Sequence, residues 1–200
     1  MPVYNRDDIR DNCGFGLIAH MDGEPSHRLV RTAISALDRM DHRGAILADG
    51  KTGDGCGLLL QKPDTFFRAV AKEQGWSLSS RYGVGMVFLG HGPDRQQRVQ
   101  QVFEEELAAE TLSIAGWRKV PIDPSVLGEI AARSLPVIMQ VFVNGQYGWG
   151  PRDFERRLFM VRRKIEKRLT NDPDFYIPCL SNLVTIYKGL CRPGDLPQFY

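Results

Sequence analysis

Cys13 stands in the run Asp11-Asn12-Cys13-Gly14-Phe15-Gly16-Leu17-Ile18-Ala19-His20, behind a charged leader, Met1 to Asn12, that carries Arg6, Asp7, Asp8 and Arg10. If that leader is removed, one residue presents both a thiol and a free α-amine. A thiol titrates near pH ~8.5 and an α-amine near ~7.7 to 8.0, so the amine can take the thiol's proton around neutrality. Nucleophile and base then sit in a single residue. Two later stretches hold residue types suited to binding. Met40-Asp41-His42-Arg43-Gly44-Ala45 brings a cation to the end of a helical pattern, where it also suits the C-terminal dipole. Gly50-Lys51-Thr52-Gly53-Asp54-Gly55-Cys56-Gly57 is a glycine-studded loop carrying one carboxylate, a tight turn or a substrate-facing loop.

These residues need elements to position them, and the periodicities supply alternating helices and strands. Gly14 to His20 alternates small and apolar positions and is expected to be a strand with Cys13 at its start. Ser26 to Met40 repeats Leu29, Val30, Ala33, Ile34, Leu37 and Met40 at helical spacing, with Gly44 as a stop. Cys56 to Gln61 is a short apolar run bounded by turn signals, hence a buried strand, and Pro63 opens a helix to about Gln74. Tyr82 to Leu89 alternates Val84, Met86 and Phe88 on one face. Helices are expected over Asp94 to Glu110, Leu127 to Leu135 and Arg152 to Leu169, and strands over Ser113 to Val120, Pro136 to Asn144, Phe175 to Cys179 and Leu183 to Tyr187. No internal repeat or linker marks a domain boundary.

Composition narrows the function classes. The chain of 200 residues is long enough for a sizeable core, and 26 basic against 24 acidic residues give no general argument for nucleic acid. The basic run Arg156 to Arg168 is broken by Glu155 and Glu166 and lacks a stacking aromatic platform, so it is expected to be a solvated or subunit-facing helix side. The leader has no apolar core of a secretory signal, and no stretch is long enough to span a bilayer. Four widely spaced cysteines, Cys13, Cys56, Cys179 and Cys191, form no C-x-x-C pair and fit a reducing cytoplasm. Cys56 and Cys179 are expected to be inert buried thiols, with Cys191 open to either reading. His20, His27, His42 and His91 have no metal-ligand spacing, so no metal is expected. A P-loop ending at Gly50-Lys51-Thr52 would need glycine at position 45, which is Ala45. Gly14 and Gly16 lack the third glycine of a dinucleotide fingerprint.

Taken in order, Cys13-Gly14-Phe15-Gly16-Leu17-Ile18-Ala19, Met40-Asp41-His42-Arg43-Gly44-Ala45 and Gly50 to Gly57 resemble the start of a class II glutamine amidotransferase. Within that family they look like the N-terminal part of the large (alpha) subunits of bacterial glutamate synthases. Arg156-Arg157-Leu158-Phe159 and Leu180-Ser181-Asn182-Leu183-Val184 extend the likeness to Tyr200. The resemblance implies an α+β fold, the N-terminal nucleophile hydrolase four-layer αββα sandwich, of which residues 13–200 would be the first half, truncated at its C-terminal side. It implies removal of 1–12, Cys13 as nucleophile, Arg43 as the grip on the α-carboxylate of L-glutamine, and Gly53 and Asp54 near the same pocket.

By the same resemblance, the released ammonia serves 2-oxoglutarate in reductive glutamate synthesis. FMN, an iron–sulfur cluster and NADPH delivered through a small partner subunit would belong to the longer enzyme and none of them to this segment. No nucleic-acid or membrane partner is implied. The family's Arg-Phe-Ser-Thr segment and its His-Asn-Gly segment, the source of oxyanion donors, do not occur in these 200 residues. The segment alone is therefore expected to be a poor glutaminase, since each missing donor costs about 2.7 to 4 kcal/mol of transition-state stabilisation. Two other readings compete: an amidotransferase with a sugar-phosphate or phosphoribosyl acceptor, and a non-catalytic truncated module that binds a partner.

Overall fold

The computed structural model describes residues 14–200, so the expected nucleophile Cys13 and the leader lie outside the described residues. The elements in chain order are α1 (His27–Asp38), β1 (Cys56–Gln61), α2 (Asp64–Glu73), β2 (Tyr82–Leu89), α3 (Pro93–Ala109), β3 (Ser113–Lys119), α4 (Glu129–Arg133), β4 (Val137–Asn144), α5 (Pro151–Arg168), β5 (Tyr176–Ser181), β6 (Val184–Gly189) and α6 (Leu196–Phe199). Four strands form an antiparallel sheet in the order β3-β4-β2-β5, and β1 pairs antiparallel with β6 in a second sheet.

The alternation of the strands decides which layer each side chain joins. Val87 and Leu89 on β2, with Val141 and Val143 on β4, point to α3 and α5 and meet Val99, Phe103, Leu158, Val161 and Ile165. The opposite face, with Met86, Ile138 and Cys179, meets Leu58 and Ile186 of the second sheet, and Leu37 of α1 joins the same cluster. Further along that face, Tyr82, Val84 and Phe142 pack with Phe67 and Val70 of α2. The result is the expected α+β sandwich of helices and two antiparallel sheets. β2 is buried along almost its whole length because both of its faces are covered.

The chain passes between the sheets at the β5–β6 corner, and Glu155 of α5 holds that corner. Its Oε1 accepts a hydrogen bond from Ser181 Oγ at 2.6 Å, and its Oε2 accepts from the Asn182 backbone N–H at 2.8 Å and from Asn182 Nδ2 at 2.5 Å. The basic side of α5 is neither bare nor merely solvated. Arg157 and Lys164 reach Glu110, and Arg168 reaches Glu105 and Glu106, so the helix side is stitched to α3. Glu110 is held below its ordinary range, chiefly by its hydrogen bond from Lys164.

The expected strand over Gly14 to His20 is not formed. Phe15 is 91% and Leu17 88% exposed, and the segment lines the cleft without a pairing partner among the described residues. Alternation sets which face a strand would bury, whereas the strand itself needs a neighbour's backbone groups. Among the described residues, β1 and β6 take only each other.

Lys62, at the end of β1, was not singled out by the sequence. Its ammonium lies 3.6 Å from the centre of the Tyr82 ring and donates to the Tyr82 carbonyl at 2.8 Å. Burial brings its pKa down from 10.5 to about 8, against the smaller opposing pull of Asp64. Between those values the unfolded chain holds the proton that the folded chain has released, so stability rises with pH; below pH 8 the cost of burying the charge is fully present. Tyr82, whose pKa burial raises, acts in the opposite sense above pH 10, its ordinary value. The Lys62 contribution is therefore read between pH 8 and 10. Urea unfolding of the wild type against Lys62→Met in that window should give a difference with positive slope, below about 1.4 kcal/mol per pH unit for one proton. A flat difference would remove Lys62 as a buried cation.

Candidate active site

An open cleft of about 2500 Å³ is lined by Gly14, Arg43, Gly44, Gly53, Asp54 and Cys56 among others. Each of these arrives on a different piece of local geometry. α1 ends at Asp38, and a short 3-10 turn, Asp41–Arg43, follows, with the Arg43 N–H donating to the Met40 carbonyl at 2.8 Å. Arg43 is exposed, and among the described residues no carboxylate forms an ion pair with it. A Cβ built on Gly14 would lie 3.5 Å from Arg43 Cβ and Cγ. The residue after Cys13 therefore rests on the stem of Arg43.

The turn that bears Arg43 is fixed from far away in the sequence. The Arg192 guanidinium donates through Nε and one terminal nitrogen to the two Asp41 carboxylate oxygens, at 3.2 and 2.5 Å. That hydrogen-bonded fork holds the Asp41 carboxyl below its ordinary range.

Residues 45–54 double back as a narrow hairpin. Ile46 bridges Gly53, the Leu47 N–H donates to the Thr52 carbonyl at 2.8 Å, and the Asp54 N–H donates to the Ala45 carbonyl at 3.1 Å. The return brings the Asp54 carboxylate against Gly44, where a Cβ would stand 2.7 Å from Asp54 Oδ1. Gly53 is pressed on the Cys191 carbonyl, which its missing Cβ would meet at 2.7 Å. Gly55 has φ +118°, a conformation that side chains rarely adopt.

One carboxylate anchors this hairpin. Asp49 Oδ1 accepts from the Lys51 and Thr52 N–H groups at 3.1 and 2.8 Å, and Oδ2 accepts from Thr52 Oγ1 at 2.6 Å and from the Ile130 N–H at 3.0 Å. These bonds, led by the one from Thr52, hold its carboxyl far below the ordinary range. Thr52 is fully buried and its Oγ1 also accepts from the Ala131 N–H at 3.2 Å, so the hairpin is bound to the start of α4. Lys51 donates to the Ser125 carbonyl at 3.0 Å. Neither residue is disposed to take a phosphate, in agreement with the missing glycine at position 45.

Arg43, Gly53 and Asp54 thus meet at one place, beside the residue that follows Cys13. Asp41, Asp49, Thr52 and Arg192 were not anticipated. Asp49 and Thr52 had a local signal, an Asp whose carboxylate bonds backbone two and three residues on. Arg192, 151 residues from Asp41, had none. Cys179 is buried as expected, but Cys56 is only half-buried, lines the cleft and has Cys191 as its sulfur neighbour, which corrects the reading of an inert core thiol. The alternation of β1 turns Cys56 toward the inter-sheet cluster while its position at the strand start leaves it at the rim. Among the described residues no group of His, Cys, Asp or Glu is disposed to hold a metal ion, and no helix is long and apolar enough to cross a membrane.

Asp49→Ala should release the hairpin from α4 without altering a cleft side chain. Hydrogen exchange should then speed up at the Lys51, Thr52 and Ile130 amides and stay unchanged in the α5 core. Equal protection in both proteins would show that the carboxylate is not the anchor.

A model of the glutamine amidotransferases class-II family matches residues 13–200. Over 200 residues the chain is 36% identical to the NADPH glutamate synthase large chain of Bacillus subtilis (strain 168). It is 40% identical over 202 residues to the corresponding chain of Azospirillum brasilense, and 38% identical over 206 residues to ferredoxin-dependent glutamate synthase 1 (chloroplastic/mitochondrial) of Arabidopsis thaliana. Each match takes in 99% of this chain but 13% of the relative, so the chain spans roughly an eighth of the length of these proteins.

Proposed function

Because this chain belongs to the class-II glutamine amidotransferases, we propose that it is the glutaminase segment of a glutamate synthase, with Cys13 as its mature N-terminus and nucleophile. The observation that carries the assignment is the packing of Gly14 on Arg43 with Asp54 against the adjacent Gly44. That arrangement sets a guanidinium, unpaired among the described residues, and a carboxylate beside the residue that follows Cys13 in the chain. A free α-amino acid has one charge of each sign, so Arg43 suits its carboxylate through a two-bond fork and Asp54 suits its ammonium. The family match begins at Cys13 itself, which supports the division of the chain into a leader, 1–12, and a catalytic segment, 13–200.

In this reading the α-amine of Cys13 takes the thiol proton, and the thiolate attacks the side-chain carbonyl carbon of glutamine. The α-ammonium of Cys13 returns that proton to the amide nitrogen of the tetrahedral intermediate, the C–N bond breaks, and ammonia leaves. Water then adds to the γ-glutamyl thioester and releases glutamate, restoring the thiol. Holding thiol, base and bound substrate at fixed geometry removes several kcal/mol from the barrier.

The ammonia would pass to 2-oxoglutarate at a reductive site elsewhere in the longer protein. The relatives are named as NADPH or ferredoxin enzymes, which supports a reductive partner reaction. FMN and an iron–sulfur cluster would be held there too, together with contacts to a small subunit. An iron–sulfur cluster needs a set of thiolates, and among the described residues no group of His, Cys, Asp or Glu is disposed to hold a metal ion. A cytoplasmic location follows from the same reading.

The assay uses the full-length protein with glutamine or ammonia as nitrogen donor. Cys13→Ala should abolish the glutamine-dependent reaction and spare the ammonia-dependent one. Arg43→Lys should raise the KM for glutamine roughly tenfold or more, because a point charge replaces a two-bond clamp. Equal loss of both reactions in Cys13→Ala, or an unchanged KM in Arg43→Lys, would overturn the respective role.

A further inference from the structure

Two sulfurs outside the proposed chemistry lie at the base of the cleft. Cys56 Sγ and Cys191 Sγ are 3.7 Å apart although 135 residues separate them in the chain. Cys56 stands opposite Gly189 in the β1–β6 register, and Cys191 Sγ lies in ordinary contact range, 3.5 Å, of the position a Cβ on Gly189 would take, so the second sulfur sits beside the strand pair that carries the first. The two thiols differ in access: Cys56 lines the cleft, whereas Cys191 is 1% exposed behind it. They also differ in acidity. The hydrogen bond between the two sulfurs pushes the Cys56 thiol up and brings the Cys191 thiol below its ordinary value.

The surroundings give this pair a path to the cleft residues. The Cys191 carbonyl supports Gly53, and the next residue, Arg192, holds Asp41 and thereby the turn that bears Arg43. Cys56 directly follows the loop of Gly53, Asp54 and Gly55. Any relative movement of the two cysteines therefore acts on both segments that supply charge to the cleft.

We propose that Cys56 and Cys191 form an oxidisable dithiol, a site of reversible disulfide formation that couples the redox state of the surroundings to the geometry of the cleft. The oxidant is a peroxide entering from the cleft. One proton leaves the pair from Cys191 to the solvent, which later returns it to the departing peroxide oxygen, and as the accessible Cys56 sulfur attacks, the remaining shared proton passes from Cys56 to Cys191. Cys56 takes one peroxide oxygen to become a sulfenic acid, while the O–O bond breaks and the second oxygen departs as water. Cys191 then attacks the Cys56 sulfur, the S–O bond breaks, and a second water leaves with the Cys191 proton. The two sulfurs together give up two electrons, and the peroxide receives them. Bond formation brings the sulfurs to about 2.05 Å, drawing the start of β1 toward the Cys191–Arg192 segment. Cys179, buried between the sheets with no thiol hydrogen-bonded to it among the described residues, takes no part.

The test treats the full-length protein with hydrogen peroxide, blocks remaining thiols with iodoacetamide and maps the peptides. The expected result is one linked peptide pair containing Cys56 and Cys191, with loss of both alkylatable thiols together and full recovery in dithiothreitol. Neither Cys56→Ser nor Cys191→Ser should yield it, and two variants guard against one that folds poorly. Cys56 carried on to sulfinic acid while Cys191 remains alkylatable would overturn the site. The coupling rests on the proposed glutaminase reading: oxidised wild type should show a raised KM for glutamine that dithiothreitol restores and that Cys191→Ser does not show. A linkage formed with KM unchanged would overturn the coupling. Failure of the glutaminase reading itself would be seen separately, as reduced wild type without glutamine-dependent activity.

Discussion

The constraint on which the rest of the molecule depends is that β2 must be buried from both faces while its backbone is paired on both edges. β4 takes one edge through eight successive residue pairs, and β5 takes the other. Such a strand cannot face water anywhere, so α3 and α5 cover one face and the β1–β6 sheet, with α2, covers the other. The layer order follows from that double burial. Close packing enforces it locally: a Cβ on Gly85 would come within 2.7 Å of Val141 Cγ1, and one on Gly83 within 2.6 Å of Leu158 Cδ1. Interiors packed this tightly transmit displacement rather than absorb it.

The cleft is the place where this rigid arrangement meets segments without regular structure. β1 and β6 present one covered face and one open face, as the alternate exposure along β1 records, including Leu59 at 60%. The turn Asp41–Arg43 and the hairpin 45–54 line the same cleft as β1, and the few backbone bonds across the hairpin stop short of a regular ladder. Side-chain carboxylates replace the missing ladder. Asp41 is fixed by Arg192 and Asp49 by four donors, and in both cases the carboxylate is held ionised well below neutrality by its partners. A charged acceptor with several donors is stronger and more directional than neutral bonds, which suits segments that must stay in place without a core of their own.

What the sequence conveyed was what depends on near neighbours. The stripe Phe154, Leu158, Val161 and Ile165 announced α5 and its buried side, because helical spacing is a local property. The face of Val84 and Met86 on β2 was legible for the same reason. Gly14 to His20 shows the limit. Its alternation is that of a strand, but pairing is a long-range matter, and without a partner the apolar residues stay exposed. Within the cleft, Arg43, Gly53 and Asp54 were legible from the order of short runs that resemble a known family. Arg192, which sets the Arg43 turn, and Cys191, which supports Gly53, come from the far end of the chain, where local spacing carries no information about their neighbours.

The same distinction explains the basic side of α5. Read along the helix, Arg156 to Arg168 is a run of cations interrupted by two acids, and its charge suggests an outward role. In three dimensions the cations at 157, 164 and 168 are matched by Glu105 and Glu106 on α3 and by Glu110 just past its C-terminal end. Each exposed pair is worth only about 0.2 to 1 kcal/mol, so the apolar contacts of Leu158, Val161 and Ile165 with Val99, Val102 and Phe103 fix the distance between the helices. The ion pairs then select their sliding register, because a shift of one turn along α5 would bring Arg168 away from its two acids. The outer layer is thereby locked behind β2, and the strand presents a fixed opposite face to the sheet that carries Cys56 and the cleft.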